Sequence, residues 1–150
     1  MALLKEDIKT ASQWIVAAFA SDNYKLDYSI TSFISIDLFI KKETKDRKPI
    51  PGGRLSQHLG KTIFALGSYI GETMIRNVPD SQWIVDDADP QGEMNMAIQF
   101  PDGSRVWPVQ RVMKRISNGP EDSVYIYGHA LTKAYINEPF NKVIWNLIAE

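Results

Sequence analysis

Residues 94–107, MNMAIQFPDGSRVW, decide the fold class of this chain. Large apolar side chains occupy every second position of the first half, namely Met94, Met96, Ile98 and Phe100. This period of two is typical of a β-strand with one buried face. The Pro-Asp-Gly tripeptide at 101–103 predicts a tight turn, because proline presets φ and glycine accepts a positive φ. Residues 104–107 then return as the partner strand, so the stretch predicts an antiparallel hairpin.

Helices on both sides of the hairpin are predicted from apolar residues that recur every three to four positions. The long helices fall at 4–20, at 55–77 and at 120–136. The last of these begins with a proline and two acids, which suit a first helical turn. The shorter elements are a strand at 82–86, a helix at 109–117, and a helix or strand at 143–147. Together they predict an α+β fold in which a small antiparallel sheet packs against several α-helices.

Two consecutive segments carry further expectations. Residues 29–42 fit a strand or a helix, and their closing Lys41-Lys42 pair favours the helix because cations suit a last turn. Residues 43–54, ETKDRKPIPGGR, combine charges, two prolines and two glycines. They predict a mobile surface loop within a single domain that covers residues 1–150.

The charge balance and the absence of cysteine narrow the function classes. The chain has 17 basic and 18 acidic residues, so no overall charge favours nucleic acid or an anionic membrane. Without cysteine it can form neither a disulfide nor a thiolate nucleophile. Charged residues at 5–7 interrupt the apolar run that a signal peptide needs, and no apolar run approaches the roughly 20 residues of a membrane span. We predict a soluble, cytoplasmic protein.

Three apparent motifs fail on their spacing. The tripeptide at 60–62, Gly-Lys-Thr, resembles the end of a phosphate-binding loop, but Leu55 occupies the position of the required glycine. The acidic stretch 86–92 resembles the start of a calcium loop, but Ile98 stands where its closing glutamate belongs. The two histidines fall in different predicted elements and have no ligand spacing. The sequence therefore predicts no catalytic residue, no metal site and no cofactor.

Glu72 is the candidate for acid–base chemistry or ligand binding. It lies on the 55–77 helix, where Gly67 and Gly71, one turn apart, predict a close crossing with another element. A carboxylate buried at such a crossing would have a raised pKa and act as an acid or base. The alternative is that Glu72 is exposed, or forms an ion pair with Arg76 one turn on.

The segment 105–115 is the candidate anion or RNA site. Its binding residues, a tryptophan followed by cations of one helix, would be Trp107, Arg111, Lys114 and Arg115. The alternative is that these cations are solvated, or paired internally with the acids at 86–89 and 121–122. His129 is a further candidate, because folding could bring it near Glu72. Near the C-terminus, Tyr125, Tyr127, Tyr135 and Trp145 suit an interface as well as a core.

Three stretches of the chain carry a resemblance. They are LGSYIGE at 66–72, FPDGSRVWPVQRVMKR at 100–115 and NGPEDSVYIYGHAL at 118–131. In register over about residues 26–135, they resemble small bacterial domains of unknown function with a glycine-containing helix and a Pro-Asp-Gly hairpin that leads into a basic helix. The resemblance implies no activity. Some small cytosolic bacterial proteins of this general kind look like immunity proteins that neutralise a toxin, which is an analogy of size and context.

Three hypotheses follow for function. The first is a non-enzymatic protein-binding module, of an immunity or regulatory type, that acts on another protein by surface contact. The second is an enzyme or small-ligand carrier that uses Glu72 with Arg111 or His129. The third is nucleotide or RNA binding through 105–115. The missing catalytic constellation favours the first hypothesis. The near-neutral charge disfavours nucleic acid and membrane partners, and a homodimer stays open.

Overall fold

The computed structural model describes residues 3–148 and has the predicted α+β fold. Its helices are α1 Leu4–Ser21, α2 Phe33–Glu43, α3 Arg54–Gln57, α4 Leu59–Asn77, α5 Gly92–Asn95, α6 Pro108–Asn118, α7 Val124–Thr132 and α8 Ile144–Ile148. Its strands are β1 Thr44–Lys45, β2 Lys48–Pro49, β3 Gln82–Ile84, β4 Ala97–Gln99 and β5 Arg105–Val106. None of the helices in this range is both long and apolar enough to cross a lipid bilayer.

The predicted hairpin consists of β4 and β5 and belongs to a three-stranded antiparallel sheet with the order β3-β4-β5, in which β4 is the central strand. Ile98 of β4 pairs with Trp83 on one side and with Val106 on the other. The Gly103 amide donates to the Phe100 carbonyl at 2.9 Å and closes the turn. Gly103 has φ +89°, which a residue with a side chain adopts only with strain.

The prediction that the strand begins at Met94 is wrong, because residues 92–95 form α5. The Asp89 carboxylate accepts hydrogen bonds from the Gln91 amide and from the Asn95 side chain, both at 2.9 Å. These bonds close one helical turn around the acidic stretch. The strand is therefore confined to the residues after Met96, and Met94 is left on the surface.

The helix interpretation of residues 29–42 is confirmed. A short 3₁₀ turn, Ile30–Ser32, leads directly into α2, and the Ser29 side chain accepts a hydrogen bond from the Ser32 amide. Consecutive residues of α2 such as Ile36 and Asp37 are both buried, which a strand with a single buried face would not allow. Helix α2 is therefore enclosed on more than one side.

The segment 43–54 contains a hairpin rather than only a loop. Strands β1 and β2 pair antiparallel, and Asp46 and Arg47 form the connection with φ values of 54° and 63°. Two successive positive φ values characterise the two-residue turns that suit the twist of a hairpin. The sequence pattern concealed this turn, because neither position is glycine. The mobility of the segment stays a prediction.

Two predicted long helices are interrupted. The helix at 55–77 is divided into α3 and α4, because His58 between them has φ −137° and ψ 54°, outside the helical region. The helix at 120–136 begins with a 3₁₀ turn, Gly119–Asp122, and α7 starts only after Ser123. The Ser123 side chain accepts a hydrogen bond from the Ile126 amide and thereby caps α7. The C-terminal segment forms a helix, α8.

Helix α4 lies at the centre of the molecule, with α1 and α6 packed along it. The predicted close crossings occur at two of its three glycines, Gly67 and Gly71. A Cβ at Gly67 would lie 2.5 Å from a methyl group of Val109 and 2.9 Å from the backbone of that residue. A Cβ at Gly71 would lie 2.1 Å from the Trp83 ring. Helix α6 and strand β3 can approach α4 so closely only because these positions lack side chains.

Candidate binding surface

Helix α6 separates a buried face from a solvent face. Val109, Val112 and Ile116 point into the core. On the solvent side, Trp107 immediately precedes the helix and is 42% exposed, and Met113 is 36% exposed. Large apolar side chains in solvent on one face of a helix are a feature of contact surfaces when they are contiguous.

Helical spacing and one hydrogen bond relate the exposed side chains of α5 and α6. Positions 110, 113 and 114 lie on one side of α6, since residues three and four apart are neighbours, and Trp107 is the extended residue just before its first turn. The Gln110 side-chain amide donates to the Met94 carbonyl at 3.0 Å and so holds α5 against α6. Met94 itself is 40% exposed. We call this surface the α6 face and define it by Met94, Trp107, Gln110, Met113 and Lys114.

The three cations of α6 differ in burial, and Arg111 is intermediate between the exposed Lys114 and the buried Arg115. Helix α6 carries Arg111, Lys114 and Arg115 and no acidic residue. The Arg111 guanidinium forms an ion pair with Asp122 at 3.0 Å and lies 3.9 Å from the centroid of the Tyr127 ring. Burial raises the pKa of the Tyr127 hydroxyl, and the neighbouring Arg111 acts in the opposite direction. The predicted internal pairing with the acids at 121–122 is therefore confirmed for Arg111.

Arg115 belongs to a buried network and not to the surface. Its Nε lies 3.0 Å from Oδ1 of Asp37, and the side chains of the two residues are 2% and 0% exposed. The same carboxylate accepts hydrogen bonds from the Ser123 hydroxyl at 2.7 Å and from the amides of Val124 and Tyr125 at 2.9 and 3.0 Å. Burial raises the pKa of Asp37, and these hydrogen bonds together with Arg115 oppose that shift. The network ties α2, α6 and the start of α7 together.

Lys114, one residue before Arg115, is exposed and makes no ion pair with another residue of the 3–148 range. Arg105, two residues before Trp107, is also exposed, and its Nε donates to the Gln99 side chain at 2.9 Å. Both cations are therefore exposed close in the chain to Trp107 and Met113. Helix α6 carries no acid, and the adjoining α5 carries one, Glu93.

Glu72 and His129 are engaged elsewhere. The Glu72 carboxylate accepts a hydrogen bond from the Trp83 indole at 3.1 Å. The alternative pair with Arg76 is not formed, because the Arg76 guanidinium lies over the Tyr28 ring at 3.5 Å. His129 contacts the Glu138 carbonyl through Nε2 at 2.9 Å. In the described part of the chain, no hydrogen bond or ion pair joins Glu72, Arg111 and His129 to one another.

Two features of the structure were not predicted from the sequence, the Asp37 network and the exposure of Met94. One sequence feature pointed to Asp37, because it is a single acid within the apolar run FISIDLFI. Its ion-pair and hydrogen-bond partners, however, follow far later in the chain. No sequence feature pointed to the exposure of Met94, because the alternating pattern assigned it to a buried strand face. The spacing of residues 110, 113 and 114 contained the part of the α6 face that lies on the helix.

Between residues 3 and 148, no group of three or more histidine, aspartate or glutamate side chains is placed so that it could hold a metal ion. Comparisons with protein families, with curated proteins and with solved structures find no match to this chain.

Proposed function

We propose that this chain is a non-enzymatic protein-binding module that covers a surface of a partner protein with its α6 face. The observation that carries the proposal is the exposure of three large apolar side chains on and beside α5 and α6, Met94, Trp107 and Met113. Tryptophan is enriched among the residues that dominate binding energy, and methionine adapts its shape to a partner. An immunity or regulatory role fits such a module, because covering a partner's surface is enough to block it.

Charge defines the chemistry of the partner. Lys114 and Arg105 are exposed cations that lie after and before Trp107 in the chain, and α6 supplies no acid to neutralise them. A complementary partner presents an apolar depression rimmed by aspartate or glutamate. Such complementarity raises the rate of association and excludes partners with a basic rim.

The surroundings of the cations favour a protein over a nucleic acid. Arg111 and Arg115 would be needed to follow a phosphate backbone, yet both are paired with aspartates of this chain. The thioethers that make up much of the α6 face offer phosphate no hydrogen-bond donor. RNA binding through 105–115 would therefore depend on Lys114 and Arg105 alone.

The experiment compares three tagged proteins in pull-downs from the native cell lysate, read by quantitative mass spectrometry. The first is the wild type, and the second carries Trp107→Glu and Met113→Glu on the α6 face. The third is a matched control with Val143→Glu and Trp145→Glu, which are also exposed, at 53% and 56%. Thermal melting followed by circular dichroism verifies that all three fold.

We expect a stoichiometric protein that the wild type and the control both retain and the α6-face variant loses. Its capture should weaken as salt is raised, because exposed charges are screened. Retention by the α6-face variant, loss from the control as well, or no partner at native salt would contradict the proposal. Light scattering of the purified protein adds one arm. A dimer that only the α6-face variant dissociates would make the partner a second copy of this chain.

A further inference from the structure

A groove of about 400 Å³ lies between α1, α2, α3 and the start of α4. Small-molecule sites span roughly 300–1,000 Å³ and combine apolar walls with a few convergent polar groups. None of the residues of the α6 face lines this groove. It is therefore a separate candidate site, independent of the function proposed above.

The floor of the groove is aromatic. Phe19 and Phe39 are almost fully buried, and their ring centroids lie 4.8 Å apart with the planes tilted by 41°. Trp14, which is half-buried, forms an adjoining wall. Such a floor suits a flat apolar ring, because aromatic pairs are attractive in offset and tilted arrangements.

The rim exists because the helix is interrupted at His58. A continuous helix over 55–77 would carry Arg54 and Gln57 along the axis of α4, whereas the break turns α3 and sets both residues on the groove. The His58 side chain is exposed and has no hydrogen-bond partner among residues 3–148. Gln57 donates its amide to the Gly52 carbonyl at 3.0 Å, which leaves its side-chain oxygen as an acceptor.

Two opposite charges stand side by side on the same rim. Arg54 and Asp22 form an ion pair at 2.8 Å, with side chains 59% and 24% exposed. An exposed pair of this kind contributes little to stability, so a ligand can take over either partner. A ligand with one charge would satisfy one member and leave the other without its counterion. A ligand that carries both charges on one small head group would satisfy both.

We infer that this groove binds a small zwitterion with an apolar ring, of the class of the aromatic α-amino acids. The ligand carboxylate pairs with the Arg54 guanidinium, which presents several donors in a fork that matches carboxylate geometry. The ligand ammonium pairs with Asp22. The ring lies on the floor formed by Phe19 and Phe39, and the volume of the groove accommodates it.

The test is a titration of the ¹⁵N-labelled full chain with L-phenylalanine, L-tyrosine and L-tryptophan, followed by NMR. Two further compounds, 3-phenylpropionate and 2-phenylethylamine, each retain the ring and only one of the two charges. The variants are Arg54→Ala and the isosteric Asp22→Asn. Lys25→Ala is the matched control, because Lys25 and Asp27 form another exposed ion pair, at 3.9 Å, that does not line the groove.

We expect saturable shifts confined to the groove with at least one of the three amino acids. The affinity should fall by about tenfold or more for each single-charge compound and for Arg54→Ala and Asp22→Asn, since each removes one charge-assisted contact. Lys25→Ala and the α6-face variant should bind as the wild type does. The inference is overturned if none of the three amino acids gives saturable shifts in the groove, or if they bind Arg54→Ala and Asp22→Asn unchanged.

Discussion

Lys114 and Arg115 are consecutive cations on α6, and they have opposite surroundings. Lys114 is exposed at the edge of the α6 face, whereas Arg115 is 2% exposed and pairs with Asp37. A step of one residue rotates the side chain by about 100° around the helix axis, which carries it from solvent into the core. Position on the helix, and not the type of charge, therefore decides whether a cation is available to a partner.

The Asp37 network and the α6 face also differ in how strongly substitutions affect folding. Asp37 and Arg115 were both removed from water, and each is stable there only while the other is present. The α6 face has no such constraint, since its side chains contact solvent already. We therefore expect that stability is concentrated in the Asp37 network and that the binding surface can be altered with little effect on folding.

The largest expected effect is that of Asp37→Ala. The substitution leaves the Arg115 charge buried without its partner and leaves the Ser123 hydroxyl and the Val124 amide without their acceptor. The free energy of unfolding should fall by about 3–5 kcal/mol, as for other broken buried pairs. Urea unfolding followed by circular dichroism measures this difference.

The control for that measurement is Asp122→Ala, which removes the partly buried partner of Arg111. It should cost about 1–2 kcal/mol, because the two side chains are 18% and 25% exposed and water screens their charges more than those of the buried pair. Equal losses for the two variants would contradict the contrast between the buried network and the surface.

The next effect concerns the packing that positions α6. In Gly67→Ala the new methyl group would lie 2.5 Å from a Val109 methyl group and 2.9 Å from the Val109 backbone, so α6 must shift. Overpacking of this kind costs about 1–3 kcal/mol. Gly60→Ala on the same helix is the matched control, because a Cβ added at this position would have no atom within 4 Å. It should stabilise the protein by up to about 1 kcal/mol, since alanine favours helix over glycine. Destabilisation by Gly60→Ala, or none by Gly67→Ala, in the same unfolding assay would contradict this account.

Local patterns predicted the parts of the fold that local forces determine. Alternation and the Pro-Asp-Gly turn predicted the hairpin. The spacing of Gly67 and Gly71 predicted a close crossing with another element, and the structure has Val109 and Trp83 at these positions. The break at His58 was not predictable in this way. Leu55 and Leu59 keep helical spacing across it, and only the backbone angles of that one residue divide the helix.

The candidate site was less predictable, because it depends on contacts between distant parts of the chain. The partner of Arg115 is Asp37, 78 positions away, and nothing in the pattern of 105–115 distinguishes that arginine from Lys114 except its place on the helix. The α6 face likewise needs the contact between Gln110 and the Met94 carbonyl. The residue types indicated α6 as the candidate helix, and the tertiary structure determines which of its side chains are exposed to a partner.

The smallest expected effects separate Arg111 from Lys114 and sharpen the comparison on α6. Arg111→Ala removes the ion pair with Asp122 and the contact with the Tyr127 ring, and should lower the free energy of unfolding by about 1 kcal/mol. Lys114→Ala should change it by less than about 0.5 kcal/mol. A second readout is the pKa of Tyr127. It should rise further in Arg111→Ala, because the cation that favours the phenolate is gone while burial remains. An NMR titration of ¹³C-labelled tyrosine rings measures it. An unchanged Tyr127 pKa in Arg111→Ala, or a shift of the same size in Lys114→Ala, would show that Arg111 does not hold the position described for it.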